Sequence, residues 1–141
     1  MKVAVFYHSV TGNTAKVAGA MARRLGTEAH EVKDYKGEVG ADLLFLGGAV
    51  YATCDHGLDP VLKDFIARLD PSSVGKAVLF KTGFDSDAIP RMKALVEGRG
   101  IKVYPESFSC PGRFLFFRLG HPNGADCSRA ADFAARVGGV A

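Results

Sequence analysis

The sequence predicts an α/β domain in which a parallel sheet is covered by helices on both faces. Short, nearly continuous apolar runs recur along the chain, and segments with helical periodicity lie between them. Apolar runs of this kind are typical of strands that are buried on both sides. Their alternation with helices is the pattern of a doubly wound α/β fold. We expect all 141 residues to form one domain, 1–141, which is long enough to bury a substantial core.

Five segments are predicted as strands. Four are strongly apolar, and in the fifth apolar and polar residues alternate. The apolar ones are VAVFY at 3–7, LLFLGGAV at 43–50, AVLF at 77–80 and IKVY at 101–104. The alternating one is TEAHEV at 27–32. The connection 33–41 is too short for a full helix, so we expect the second crossover to be abbreviated.

Four segments are predicted as helices, because apolar residues recur in them at steps of three and four. They are 14–25, 59–69, 87–96 and 126–137. Asp59 is a suitable N-cap, with Pro60 at the first helical position. Gly98 and the pair Gly138 and Gly139 are suitable stops.

From the composition, with 48% hydrophobic and 23% charged residues, we expect an ordinary soluble globular protein. No apolar run approaches the roughly 20 residues of a membrane span, and we expect no membrane association. The first apolar run is too short for a secretory signal, and three widely spaced cysteines form no disulfide framework, so we expect a cytoplasmic protein. The net charge of +3 is mild and no Lys/Arg run marks a nucleic-acid surface.

The loop HSVTGNT, 8–14, lies where the first predicted strand leads into the first helix. It contains neither the Gly-Lys-Ser/Thr ending of a phosphate-transfer loop nor a GxGxxG pattern. A helix N-terminus nevertheless attracts anions, and the loop adds hydroxyl and amide donors without a formal charge. The pattern indicates a pocket for a phosphate that is held rather than transferred. The alternative is that Asn13 or Thr14 simply caps the helix.

The stretch Ser9-x-Thr11-Gly12-x-Thr14 resembles the flavodoxin fingerprint (T/S)-x-T-G-x-T, at the same place after the first strand. The chain resembles a short-chain flavodoxin over essentially its whole length. The resemblance implies a flavodoxin-like, five-stranded parallel sheet in the order 2-1-3-4-5 and FMN as the cofactor. It implies that the FMN phosphate is held by Ser9, Val10, Thr11, Gly12, Asn13 and Thr14.

The same resemblance assigns the flavin ring to the loops after the third and fourth strands. Tyr51 lies where flavodoxins often carry an aromatic residue that stacks on the ring, beside Ala49. Gly83 and Phe84 are the weaker candidates on the other side. Gly47 and Gly48 are expected to let the backbone approach the ring. The alternatives are that Tyr51 covers the end of the sheet and that Phe84 belongs to the core.

The two ring loops carry more negative than positive charge: Asp55, Asp59, Asp85 and Asp87 stand against Lys81. One charge about 8 Å away, at an effective dielectric of about 20, contributes roughly 2 kcal/mol. We therefore expect these loops to lower the reduction potential of a bound flavin. The competing interpretation of Asp85, Ser86 and Asp87 is that they cap the following helix.

Several other features are left without an assigned activity. Cys54 and His56 lack further ligands at metal spacing, so no metal is expected, and Cys110 and Cys127 are interpreted as structural. The later basic residues are interpreted as solvated surface: Arg91, Lys93, Arg99, Lys102, Arg113, Arg118 and Arg129. The segment 110–126 contains the apolar stretch FLFF and either packs on the body, extends the edge strand or contacts a partner or a second subunit of a homodimer.

The favoured function is an FMN-binding electron carrier between redox partner proteins, more an electron carrier than a stand-alone enzyme, with no catalytic residue assigned. An FMN-dependent oxidoreductase that reduces a quinone or a porphyrinogen is the first alternative. A flavin-free interaction module is the second. A phosphotransferase is disfavoured, because no lysine or magnesium-binding carboxylate accompanies the loop.

Overall fold

A computed structural model describes residues 1–10, 12–48, 58–83, 87–110 and 123–139. The strands are β1 (Val3–Tyr7), β2 (Ala29–Glu31), β3 (Ala41–Gly48), β4 (Val74–Thr82), β5 (Lys102–Val103) and β6 (Phe108–Cys110). The helices are α1 (Asn13–Leu25), α2 (Pro60–Ala67), α3 (Ala88–Gly98) and α4 (Gly124–Gly138). None of the helices in these ranges is long and apolar enough to cross a membrane.

The sheet is parallel and has the strand order β2-β1-β3-β4-β5, which confirms the predicted order. The fifth position is divided between two short strands rather than filled by one. Lys102 of β5 pairs with Lys76 at the start of β4, and Phe108 of β6 pairs with Phe80 near its end. Pro105 lies between the two strands and has no N–H for the ladder, which accounts for the break.

Helices cover both faces of the sheet, as predicted. On one face α2 and α3 pack on Leu44, Leu46 and Leu79. On the other face α1 and α4 pack on Phe45, Val78 and Phe80. Because side chains alternate along a strand, successive residues at 43–46 of β3 and at 77–80 of β4 belong to opposite cores.

The connection from β2 to β3 contains only a 3₁₀ turn, Val32–Asp34, which confirms the abbreviated crossover. Tyr35 follows this turn and packs edge-on against Phe6, with ring centroids 4.7 Å apart. Phe6 also stacks on Phe65 of α2 at 5.3 Å. These aromatic side chains therefore cover part of the sheet face that a crossover helix between β2 and β3 would otherwise cover.

The start of α2 follows its predicted cap, whereas α4 starts at a cap that was not predicted. The carboxylate of Asp59 accepts a hydrogen bond from the N–H of Val61 at 2.8 Å, which confirms it as the N-cap of α2. α4 starts before the predicted residue 126, because Asn123 and Asp126 form a reciprocal capping box. Asp87 occupies the N-cap position of α3, but its side chain makes no capping hydrogen bond and instead pairs with Arg91 at 4.0 Å.

Candidate ligand site at the carboxyl ends of the strands

The carboxyl ends of β1, β3 and β4 lie together at one edge of the sheet. The chain leaves β1 toward β2 on one side, whereas β3 lies on the other side of β1. Strand order therefore reverses between β1 and β3, and ligands of doubly wound sheets bind at such a reversal. The N–H of His8 donates to the carbonyl of Gly47 at 3.1 Å, so these two strands stay paired up to the start of the first loop.

The first helix begins in a way that favours an anion. Its N-cap is Gly12, with φ 90°, no side-chain cap and no acidic residue in the first turn. Among the described residues, none other than the chain neighbours of Gly12 has an atom within 4 Å of a Cβ added there. The positive end of the α1 dipole is thus not neutralised by the helix's own first turn.

Within the loop, the N–H of Gly12 donates to the Ser9 hydroxyl oxygen at 3.0 Å. Because a hydroxyl carries one proton and two lone pairs, Ser9 can accept this bond and still donate its own proton to a ligand. The Ser9 hydroxyl therefore holds the loop closed and remains a donor.

Glu31, at the end of β2, holds the start of this loop in place. Its carboxylate accepts hydrogen bonds from the N–H of Ser9 at 2.9 Å and from the N–H of Lys33 at 3.0 Å. The buried His8 ring presents Nδ1 to the same carboxylate, at 3.1 and 3.2 Å from its two oxygens. The Ser9 N–H is consequently committed to Glu31 and is not a phosphate donor here.

The other ring nitrogen of His8 faces the start of α2. Its Nε2 lies 3.3 Å from Oδ2 of Asp59, within ion-pair distance, but the geometry is not that of a hydrogen bond. The His8 ring therefore lies between two carboxylates on different elements. Burial and the nearby Glu31 also raise the pKa of the neighbouring Tyr7. His8 and Glu31 were not predicted as site residues, although the parallel pairing of β1 with β2 predicts that their ends meet.

Thr14 and Thr82 join the first loop to the end of β4. Their hydroxyl oxygens lie 2.8 Å apart, and the two residues are 0% and 3% exposed. Thr82 was not predicted as a site residue, since a threonine at the end of a strand carries no sequence signal by itself.

The loop after β4 starts with Gly83, at φ 103°, and none of the described residues beyond its chain neighbours lies within 4 Å of a Cβ added there. Its N–H donates to the carbonyl of Cys110 at 3.1 Å, and its carbonyl accepts from Nζ of Lys81 at 3.1 Å. Lys81 is only 9% exposed. The positive charge of Lys81, which opposes the acidic charge of the ring loops, is therefore buried beside the backbone of Gly83.

Gly47 and Gly48 are required by the packing of the core. A methyl group at residue 47 would overlap the ring of Phe80, and one at residue 48 would lie 2.6 Å from a methyl group of Leu62. Their missing side chains make room for the protein's own core. That they also let the backbone approach a flavin ring stays a prediction.

The structure brings part of the predicted site together. Ser9, Val10, Gly12, Asn13 and Thr14 form the first loop and the start of α1, and the Thr14–Thr82 contact brings Thr82, the chain neighbour of Gly83, to the start of this helix. The remaining predicted residues lie outside the described residues: Thr11, Ala49, Tyr51 and Phe84. Asp55, Asp85, Cys54 and His56 lie outside them as well.

The 110–126 segment is described only at its two ends. At one end, burial raises the pKa of the Cys110 thiol to about 12, helped by the nearby Asp126. At the other end, buried Asp126 pairs with Arg129, which was interpreted as solvated surface. Among the described residues, no group of three His, Cys, Asp or Glu side chains could hold a metal ion.

No protein-family model matches the sequence, and no curated protein matches it. Solved structures do resemble the fold along its whole length. Oxidised flavodoxin 2 from Bacillus cereus has a TM-score of 0.71 at 17% identity, covering 99% of both chains. A flavodoxin from the domain Archaea has a TM-score of 0.74 at 18% identity, covering 98% of this chain and 99% of its own.

A similar fold also occurs inside a larger protein. Rubredoxin oxygen:oxidoreductase from Desulfovibrio gigas matches with a TM-score of 0.70 at 17% identity, over 96% of this chain but only 35% of its own. The strand order, the helices on both faces and these likenesses agree. The chain has the flavodoxin-like fold.

Proposed function

We propose that this protein binds FMN without covalent attachment and carries electrons between redox proteins. The observation that carries the proposal is the start of α1, where Gly12 leaves the helix without a side-chain cap and where the described residues leave space around a Cβ added at Gly12. This helix end lies at the β1/β3 reversal of a flavodoxin-like sheet. Fold alone does not determine function, so the proposal rests on the residues of this loop.

The phosphate of FMN would be held by the loop 9–14. The donors are the hydroxyls of Ser9, Thr11 and Thr14, the Asn13 amide and the backbone N–H groups at the helix start, with Val10 as part of the backbone. All of these are neutral groups. A pocket of this kind binds a phosphate ester and provides no group that would transfer it.

The ring of FMN would lie between the loops after β3 and β4. Ala49 and Tyr51 are proposed on one side, and Gly83 and Phe84 on the other. Gly83 fits this role, because its positive φ and the open space beside its Cα allow the backbone to approach a flat ligand. When bound, FMN supplies the capacity to accept and release electrons.

The chain's own residues would then bind, orient and tune the cofactor. Glu31 and His8 fix the start of the phosphate loop. Asp59, at the start of α2, lies next to the His8 ring and so links that loop to α2. Buried Lys81 contributes a positive charge near Gly83, which offsets part of the acidic charge of the ring loops. No general acid or base is required for electron transfer.

The test is an absorbance spectrum of the purified protein after adding FMN and removing the excess by gel filtration. We expect one FMN per chain to be retained, and riboflavin, which lacks the phosphate, to be retained much less. If neither flavin stays bound at micromolar protein, the proposal fails.

A substrate-reducing enzyme is distinguished by turnover. An electron carrier loaded with FMN should reduce quinones slowly without a partner protein but exchange electrons rapidly with a reductase or an acceptor protein. The occurrence of this fold within the larger rubredoxin oxygen:oxidoreductase supports a protein partner. Steady-state quinone turnover by the loaded protein alone would favour the oxidoreductase instead.

A further inference from the structure

We propose that Thr82 is a positioning residue for phosphate binding, which acts by directing the hydroxyl of Thr14. This inference rests on the proposed function, because it assigns a role within the same FMN site. Thr82 does not belong to the fingerprint loop and is separated from Thr14 by 68 positions in the chain.

The position of Thr82 in the sheet makes its hydroxyl point toward α1. Along β4, Val78 and Phe80 pack in the core beneath α1 and α4, and Thr82 continues the same alternation. Its backbone is held by pairing with Cys110 of β6. A hydroxyl therefore stands at the last position of an otherwise apolar row.

The two hydroxyls satisfy each other in a place that excludes water. Both residues are almost fully buried, and their oxygens lie 2.8 Å apart, a normal distance for a hydroxyl pair. A buried hydroxyl without a partner is unfavourable, so each residue requires the other. A threonine in the first turn of a helix has more than one favourable side-chain rotamer, and the contact with Thr82 selects one.

The direction of this hydrogen bond decides what Thr14 can do. Each hydroxyl donates one proton and accepts up to two. If Thr14 donates to Thr82, its only proton is used inside the protein. If Thr82 donates to Thr14, the proton of Thr14 is not used within the pair, and a phosphate that reaches this buried hydroxyl by displacing the residues that cover it would select this second arrangement.

The test compares FMN with riboflavin in three variants of the flavin-free protein. Thr82→Val keeps the shape and removes the hydroxyl, Thr82→Ser keeps the hydroxyl, and Thr27→Val is a control on a threonine remote from the site. We expect Thr82→Val to weaken FMN binding about tenfold and to leave riboflavin binding unchanged. Thr82→Ser and Thr27→Val should bind both flavins like the wild type.

A second comparison shows whether Thr82 acts through Thr14. In a Thr14→Val background, Thr82→Val should cause no further loss of FMN affinity, whereas an independent contact would add its own loss. If Thr82→Val does not fold, Thr82→Ala, which only removes atoms, replaces it in both comparisons.

The outcomes separate this inference from the function on which it rests. If the wild type binds FMN but Thr82→Val weakens FMN and riboflavin equally, Thr82 has only a structural role and the inference is overturned. Unchanged FMN binding in Thr82→Val overturns it too. If the wild type binds no flavin, the proposed function fails, and this inference fails with it.

Discussion

Nδ1 of His8 lies 3.1 Å from Oε1 of Glu31, so that the ends of β1 and β2 are joined by side chains as well as by the sheet. The same carboxylate accepts the N–H groups of Ser9 and Lys33. Three donors thus converge on one partly buried carboxylate at the entrance of the proposed phosphate loop.

Glu31→Gln should therefore lower the stability of the protein. The amide keeps one acceptor oxygen but loses the charge and one of the two oxygens, and hydrogen bonds to charged groups are worth about 1.5–3 kcal/mol each. We expect the free energy of unfolding in urea to fall by about 1–3 kcal/mol. Glu28→Gln, on an exposed neighbour, is the matched control. Equal stability of the two variants would show that Glu31 does not hold the loop.

Gly12→Ala should weaken both folding and FMN binding. An alanine at φ 90° is strained by roughly 1–2 kcal/mol, and its methyl group would enter the open space proposed for the phosphate. Gly26, at the other end of α1, has φ 74° and equally open surroundings. Gly26→Ala should show a similar thermal destabilisation with unchanged FMN affinity. Equal FMN affinities of the two variants would argue against a phosphate at Gly12.

Gly47→Ala should be strongly destabilising for a reason unrelated to a ligand. The added methyl group overlaps the Phe80 ring, and overpacking of a core costs about 1–3 kcal/mol. Gly98→Ala, where nothing lies within 4 Å of the new atom, should have little effect. Adding Phe80→Leu to Gly47→Ala should recover part of the loss. Urea unfolding of all three variants checks this, and a stable Gly47→Ala would refute the packing explanation.

The thiol of Cys110 should react slowly in the folded protein. Burial raises its pKa to about 12 from a usual value near 9, so its thiolate fraction at pH 8 falls about a thousandfold. Iodoacetamide labelling followed by peptide mass spectrometry should modify Cys127, which is partly exposed, well before Cys110. In denaturant the two should react alike. Fast native labelling of Cys110 would contradict its burial.

The raised pKa of Cys110 also predicts a pH dependence of stability. Since the folded state binds the thiol proton more tightly than the unfolded state, the stabilisation is complete below about pH 9 and is lost toward pH 12. Cys110→Ala should make stability less dependent on pH across this window than in the wild type. Urea unfolding at pH 8 and pH 10.5 measures the difference. Parallel losses in both proteins would assign the slope to other groups, of which Tyr7 is the first candidate.

The sequence by itself determined the main strands, the helices and the location of the first loop. Buried strands leave continuous apolar runs such as 43–48, and helix ends leave local signals such as Asp59 followed by Pro60. These features depend on residues close together in the chain, so pattern and spacing suffice to predict them.

Only the tertiary structure decided which distant side chains meet around that loop. His8 with Glu31, and Thr14 with Thr82, are brought together by parallel pairing and by helix packing across the sheet. The split fifth strand and the use of Gly47 for internal packing were decided in the same way. Such contacts depend on the space left by residues elsewhere in the chain, so they cannot be predicted from the local sequence.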